Sequence, residues 1–482
     1  MRGDRTHFLL KRWPICRSVC LRFPAQGYFL ARRSVRPGGV VVSFFRSVWI
    51  PSALAPLAAL ALLLALLALG ACDSKGEKVA SERQIPGVTD KVVSLGSSLA
   101  LSGHASYLGT QTLRGALSYL KHINDQGGVW GRKIELTAYD DSYDPPRCLA
   151  NTQKLIVQDN VFALFCYVGT PTTVKILPLV EDARIPLLGM FTGANALREP
   201  FNHYVINIRA SYYQETAAAV RHLVKDLGLT RIAVFYQYDA YGFDGLTGTE
   251  LALKEFGLEP VARGFYVRGT QDVADGLAKI QKSGAEAVVM IGTYDPCAKF
   301  IQLSAERGFH PIFHTVSFVG AEELARRLGD NLGEVVVMSQ VVPPFEGPDA
   351  RQLLGSAEEY VHLLAKYFPD DKPNSVGLEG YINARILVEG LKLAGRDLTR
   401  EGFINAIESI RDYTLGPGTV VSFGPDNHQG MERVYFTRLS GGHFVLISDW
   451  PEILRALDEV RARPQDKPQA AAQPNAKAEA RP

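Results

Sequence analysis

Several absences narrow what this chain can be. Its 482 residues hold only six cysteines, too few for a disulfide scaffold. Three of them, Cys16, Cys20 and Cys72, lie in the first 72 residues; Cys148, Cys166 and Cys297 lie further on. There is no charge excess of one sign: the formal net charge is +2, without the basic surplus that a nucleic-acid binder carries, so no nucleic-acid partner is expected. The motifs GxxxxGK[ST], HExxH, GxSxG and CxxC with metal spacing are all missing. GxGxxG is missing after the first strand pattern, which speaks against a dinucleotide enzyme. The ten histidines are scattered along the chain. No catalysis, cofactor or metal is expected.

What is present begins with an address. Residues 53–69 form an uncharged Leu/Ala run, short for a bilayer span of about 20 apolar residues. Arg46 precedes it and Leu69-Gly70-Ala71-Cys72 follows it. Basic flank, apolar core and small residues before a cut are the parts of a secretory signal. The last four residues resemble the bacterial lipobox, which implies an acylated Cys72 as the mature N-terminus, anchored to the membrane of the cell envelope. Each buried methylene contributes ~0.8 kcal/mol, so several acyl chains hold a soluble domain firmly. An uncleaved signal anchor, extended back through Val48-Trp49-Ile50, is the alternative. Residues 73–90 look like a polar tether. Residues 462–482, rich in Pro, Ala and Gln, are expected to be disordered.

The body alternates short apolar runs with amphipathic stretches, which predicts an α/β fold. Strands are expected at 92–99, 133–139, 161–165 and 185–190. Between the first two, Leu113, Ala116, Leu117, Leu120 and Ile123 form one helical stripe. Uninterrupted apolar strands suit a parallel sheet covered on both faces. The pattern then restarts, with strands expected at 231–236, 259–267, 287–291, 311–314 and 335–339. His203 to Ser211 reads as an extended crossover. Helices at 351–368 and 376–394 and strand-like residues at 419–449 complete the two units. The expected division is 91–207 with 341–418 in lobe 1, and 208–340 with 419–450 in lobe 2. Several chain crossings between them imply a hinge.

Ligands of open parallel sheets sit beyond the carboxyl ends of the strands. Ser102, Gly103 and His104 follow the first strand there, Gly169 and Thr170 the third, and Thr192 and Gly193 the fourth. Tyr238 to Gly242, then Gly292 to Asp295, then Ser317 follow strands of the second unit. A helix start beyond Gly169 suits a carboxylate, and tyrosines supply apolar walls with a polar tip. Singly each has a bland reading: Thr170 as a helix cap, Gly169 and Gly193 as turn residues, Tyr241 and Tyr294 as half-buried aromatics. Their joint placement at strand ends of both units favours a ligand cleft.

Ser102 through Gly109, Asn124-Asp125-Gln126-Gly127-Gly128, Tyr139-Asp140-Asp141, Asp144-Pro145 and Asp239-Ala240-Tyr241-Gly242 resemble the leucine/isoleucine/valine-binding protein family. The likeness covers nearly all of 91–450. It implies a type I periplasmic binding fold, two mostly parallel α/β lobes joined by three crossovers, serving an ABC permease as solute receptor. A ligand-sensing subunit of a signalling system is the alternative use of this fold. The resemblance carries the ligand carboxylate to Gly169 and Thr170, with Thr192 and Gly193 at a second contact. It puts Tyr241, Thr293 and Tyr294 on the second lobe's wall and Tyr107 or Leu108 on the first. Three departures stand out. The second carboxylate contact, often Thr in that family, aligns with Gly193 here, with Thr192 beside it to take the role. Amino-acid binders have an acidic residue for the ligand ammonium near position 317, which is Ser317 here. Either Asp239, Asp295 or Glu379 replaces it, or the ligand is a carboxylate without an amine. The family's bridged positions correspond to Tyr143 and Gly169. Cys148 and Cys166, near one strand–helix unit and bound for an oxidising compartment, are expected to pair instead, with Cys297 a lone buried thiol.

Overall fold

The structure, a computed structural model, describes residues 85–329, 335–344, 355–416 and 419–462. The signal segment, Cys72, most of the expected tether and the expected tail after 462 lie outside the described residues. Among the described residues, no helix is long and apolar enough to cross a membrane.

The first sheet has five strands: β1 Val92–Leu99, β2 Lys133–Asp140, β3 Ala163–Phe165, β4 Leu187–Leu188 and β5 Val205–Ile206. Their order is β2-β1-β3-β4-β5 and every pairing is parallel. The second sheet contains β6 Ile232–Gln237, β7 Arg263–Tyr266, β8 Ala287–Ile291, β9 Ile312–Thr315 and β10 Val336–Gln340, in the parallel order β7-β6-β8-β9-β10. All residues of β6 and β8 are buried, as strands covered by helices on both faces must be.

The second sheet is mostly parallel, as expected, and its antiparallel strands lie at one edge. β13 Tyr435–Ser440 and β14 His443–Leu446 join its edge antiparallel. The turn through Gly441 and Gly442, both at positive φ, is too short for a parallel return. β11 Tyr413–Gly416 and β12 Thr419–Val421 pair with each other as a separate ribbon.

Both sheets reverse strand order between their first and third strands. That reversal opens a crevice at the carboxyl ends, between the loops leaving β1 and β3 in one unit and β6 and β8 in the other. The chain passes between units at 207–211 and again at 428–431. These two segments run side by side: Asn207 N–H donates to His428 O (2.8 Å), Gly430 N–H to Asn207 O (2.9 Å) and Met431 N–H to Ile208 O (2.8 Å). A further passage leaves β10 through Val341–Pro344.

The helices Ser106–Asp125 and Ser375–Ala394 cover one face of the first sheet and meet backbone to backbone. A Cβ on Gly115 would lie 1.8 Å from Gly377 O, and one on Gly380 would lie 2.2 Å from Thr112 O. Glycine there permits an approach that no side chain allows.

Candidate ligand cleft

Gly169 ends β3's loop at φ +98° and starts the helix Thr170–Ala183. A Cβ at Gly169 would strike the Tyr143 ring at 2.0 Å, so only glycine fits. Pro171 in the first turn has no N–H to lose there. Thr170 and Thr192 hydroxyls hydrogen-bond to each other at 2.7 Å, fully buried. Gly193 O accepts from Tyr212 N–H at 2.7 Å, tying the first unit to the start of the helix Tyr212–Arg221. Gly169, Thr170, Thr192 and Gly193 thus come together at a helix start, where unpaired N–H groups favour an anion.

The opposing wall comes from the second unit. Asp239 caps the helix Ala240–Lys254 by accepting from Tyr241 N–H (3.0 Å), and Tyr241 Oη donates to Gly292 O (3.0 Å). Thr293 N–H donates to Tyr266 Oη (3.0 Å). Tyr107 from the first unit meets Tyr294 from the second edge-on, with ring centroids 6.1 Å apart. Leu108 is buried and would touch a Cβ on Gly320 at 3.0 Å, so it packs beneath the wall. A cavity of about 650 Å³ adjoins this side, shares Tyr107 with the cleft and is lined further by Gln111, Arg326 and Asn374.

Phe318 occupies the middle, with ring centroids 4.7 Å from Tyr241, 5.5 Å from Phe191 and 6.1 Å from Tyr143. Tyr143 Oη and Tyr212 Oη are buried close to Gln237 and Thr192 without a well-formed hydrogen bond, and Thr173 Oγ1 is likewise buried without a partner. Buried hydroxyls left in this state cost free energy unless something accepts or donates to them. His104 packs edge-on to Tyr143 at 5.5 Å, and burial, reinforced by Arg268, lowers its basicity.

Sequence reasoning missed the cleft's main charge. Arg209, in the crossover, is fully buried and lies 5.2 Å over the Phe191 ring. Its Nη2 donates to Glu215 Oε1 (3.0 Å) and to Ser317 Oγ; its Nη1 is 3.3 Å from both oxygens of Glu379. Arg209 Nε is buried without a hydrogen bond. Glu215 also accepts from Ser317 N–H (2.8 Å), Ser317 Oγ (2.8 Å) and Ser339 Oγ (2.6 Å). The signal available was a lone arginine inside the apolar run VINIRA.

The three acids considered for a ligand ammonium all have cationic partners. Asp239 faces Arg268 at 3.5 Å, and burial nevertheless raises its pKa. Asp295 pairs with Arg327 at 2.6 Å. Glu379 is pushed up to about 7 by burial, with Arg209 opposing.

The expected Cys148–Cys166 bridge is not formed; both are free, buried thiols, as is Cys297. Cys148 lies on the helix Pro145–Val157, beside Asp141 and Thr152. Cys166 faces Asn383 on the helix Ser375–Ala394, 3.8 Å from its Nδ2. Right-handed connections place these helices on opposite faces of the first sheet, so the two sulfurs point apart.

A family profile described as periplasmic binding protein matches residues 92–443. A possible leucine/isoleucine/valine-binding protein from Rhodopirellula baltica SH 1 superposes with a TM-score of 0.71 at 35% identity, covering 76% of this chain and 98% of that one. The chain belongs to the periplasmic binding proteins of the leucine/isoleucine/valine-binding type. Leu/Ile/Val-binding protein homolog 8 of Brucella abortus is 22% identical over 376 residues, which is 75% of this chain and 91% of that protein. An amino acid binding protein of Pseudomonas aeruginosa is 25% identical over 228 residues, 47% of this chain; the match spans 61% of that relative's length. Periplasmic binding proteins of this type are solute receptors and not enzymes. The two sheets with facing carboxyl ends are the two lobes of that fold.

Proposed function

We propose that this periplasmic binding protein is the extracytoplasmic receptor of an ABC importer, held on the membrane through an acylated Cys72, and that it closes its lobes on a small carboxylate without an α-amino group. The observation that carries the reading is the pairing of Thr170 and Thr192 hydroxyls at a helix start, with Tyr212 beside Thr192 and its ring against that of Tyr241. That end of the cleft suits a carboxylate; the rings suit an apolar body.

The amine-free assignment rests on charge. Position 317 carries no acid, and Glu215 behind it is saturated by Arg209, Ser317 and Ser339. Asp239, Asp295 and Glu379 each face a guanidinium. A ligand ammonium would have to break one of these pairs, and an unpaired buried charge costs several kcal/mol.

A thermal-shift screen tests both halves. Branched-chain amino acids are set against aliphatic and aromatic acids lacking the amine. A ligand at a hundred times its dissociation constant stabilises by ~2.7 kcal/mol, which raises the melting temperature by a few degrees. The expected result is a shift with amine-free acids that Thr170→Val largely abolishes. A shift with amino acids alone would overturn the amine-free assignment, and a ligand shift unaffected by Thr170→Val would overturn the placement of the carboxylate.

A further inference from the structure

At the base of the crossover, away from the cleft, three side chains from distant parts of the chain converge. His203 precedes β5, Glu408 ends the helix Arg400–Glu408, and His428 lies where the chain returns to the second unit. Each offers one ligand atom, and these atoms lie within 4.8 Å of one another.

The surrounding hydrogen bonds decide which nitrogens face inward. A backbone carbonyl can only accept, so His428 Nδ1, 3.1 Å from Val205 O, carries a hydrogen. His428 Nε2 is then turned to Glu408 Oε1 at 3.0 Å. His203 Nε2 is 2.8 Å from Glu401 Oε2 and donates to it, which turns Nδ1 to the same Glu408 oxygen at 3.8 Å. In neutral rings both inward nitrogens carry lone pairs, and both point at a carboxylate. That arrangement is repulsive unless positive charge sits between them. Histidine with its outer N–H held by a carboxylate or a backbone carbonyl is also the arrangement that orients an imidazole on a metal.

We propose that His203, Glu408 and His428 bind a late first-row divalent cation of the Zn²⁺ kind, with Glu401 and the Val205 carbonyl orienting the two rings. Two imidazoles and a carboxylate suit that class of ion and leave a fourth position for water. Metal–ligand bonds of ~2.0–2.2 Å place tetrahedral donors roughly 3.3–3.6 Å apart, a spacing bracketed by the 3.0 and 3.8 Å from the Glu408 oxygen to the two imidazoles. His428 and Glu408 side chains are 3% and 13% exposed, while His203 is 39% exposed and gives the ion a way in. The edge of Phe201 backs His428 at 4.8 Å. A cation here would staple the two crossover segments to a helix of the first lobe.

The test titrates Zn²⁺ into the untagged, chelator-stripped chain in competition with a chromogenic chelator. One equivalent should bind per chain and raise the melting temperature. His203→Gln and Glu408→Gln should each weaken binding by about tenfold or more, and Glu401→Gln should weaken it by about 10- to 100-fold as a loss of ring orientation. Circular dichroism checks that the variants fold; exposed His203 is the safeguard should Glu408→Gln not fold. Failure of the wild-type chain to bind Zn²⁺, or binding equally tight in His203→Gln, would overturn the site and leave only imidazolium–carboxylate ion pairs. The outcome is independent of any cleft ligand.

Discussion

Arg209 is the residue on which the cleft's electrostatics turn. It is buried between Glu215 of one lobe and Glu379 of the other, so one guanidinium serves two carboxylates. Burial lifts Glu379 from 4.5 to about 7. An acid raised in the folded chain binds its proton more tightly there than when unfolded. Its contribution to stability is therefore full below about 4.5 and is lost as pH rises through about 7. Glu379→Gln removes the titration while keeping an oxygen for Arg209. The gap in melting temperature between about pH 5 and pH 8 should narrow in that variant. An unchanged gap would mean that Glu379 does not titrate in this range. Ser317 belongs to the same network: its hydroxyl accepts from Arg209 Nη2 and donates to Glu215 Oε1.

Among elements, the pair of helices Ser106–Asp125 and Ser375–Ala394 sets the geometry of the first lobe. Three glycines, Gly115, Gly377 and Gly380, read locally as weak points in two helices. In the fold Gly115 and Gly380 let the two helix backbones touch, and Gly377 leaves room for the Tyr360 side chain. Gly115→Ala puts a methyl 1.8 Å from the Gly377 carbonyl, a backbone atom that cannot swing aside. The expected cost is about 1–3 kcal/mol by overpacking, against the small gain that alanine brings to an exposed helix. Equilibrium urea unfolding measures it; a neutral or stabilising result would mean that the helices slide apart at no cost. The same contact bears on the cleft, because Tyr107 and Leu108 open the first helix and Glu379 stands on the second.

At the scale of the molecule, two sheets with the same strand-order reversal present their carboxyl ends to each other across a hinge of paired chain segments. Ligand contacts to both sides would shift the population towards the closed form. Small-angle scattering on the chain should show a smaller radius of gyration with a saturating ligand; no compaction with a ligand that gives a clear thermal shift would sink the closing mechanism. The alternation of apolar runs with amphipathic stripes was enough by itself to place nearly every strand of both sheets. Buried parallel strands must be apolar throughout, and covering helices must carry one stripe, so the pattern is written locally. Strand ends are legible for the same reason, and Thr170, Thr192, Tyr241 and Tyr294 all lie just beyond them. The tertiary structure alone decided what joins residues far apart in the chain. It set Arg209 between Glu215 and Glu379, Phe318 among rings of both lobes, Cys148 and Cys166 on opposite faces of a sheet, and His203, Glu408 and His428 around one point. None of these has a spacing in sequence, because each partner is brought in by a different element. Their charges and donors acquire meaning only when burial removes water as the competing partner.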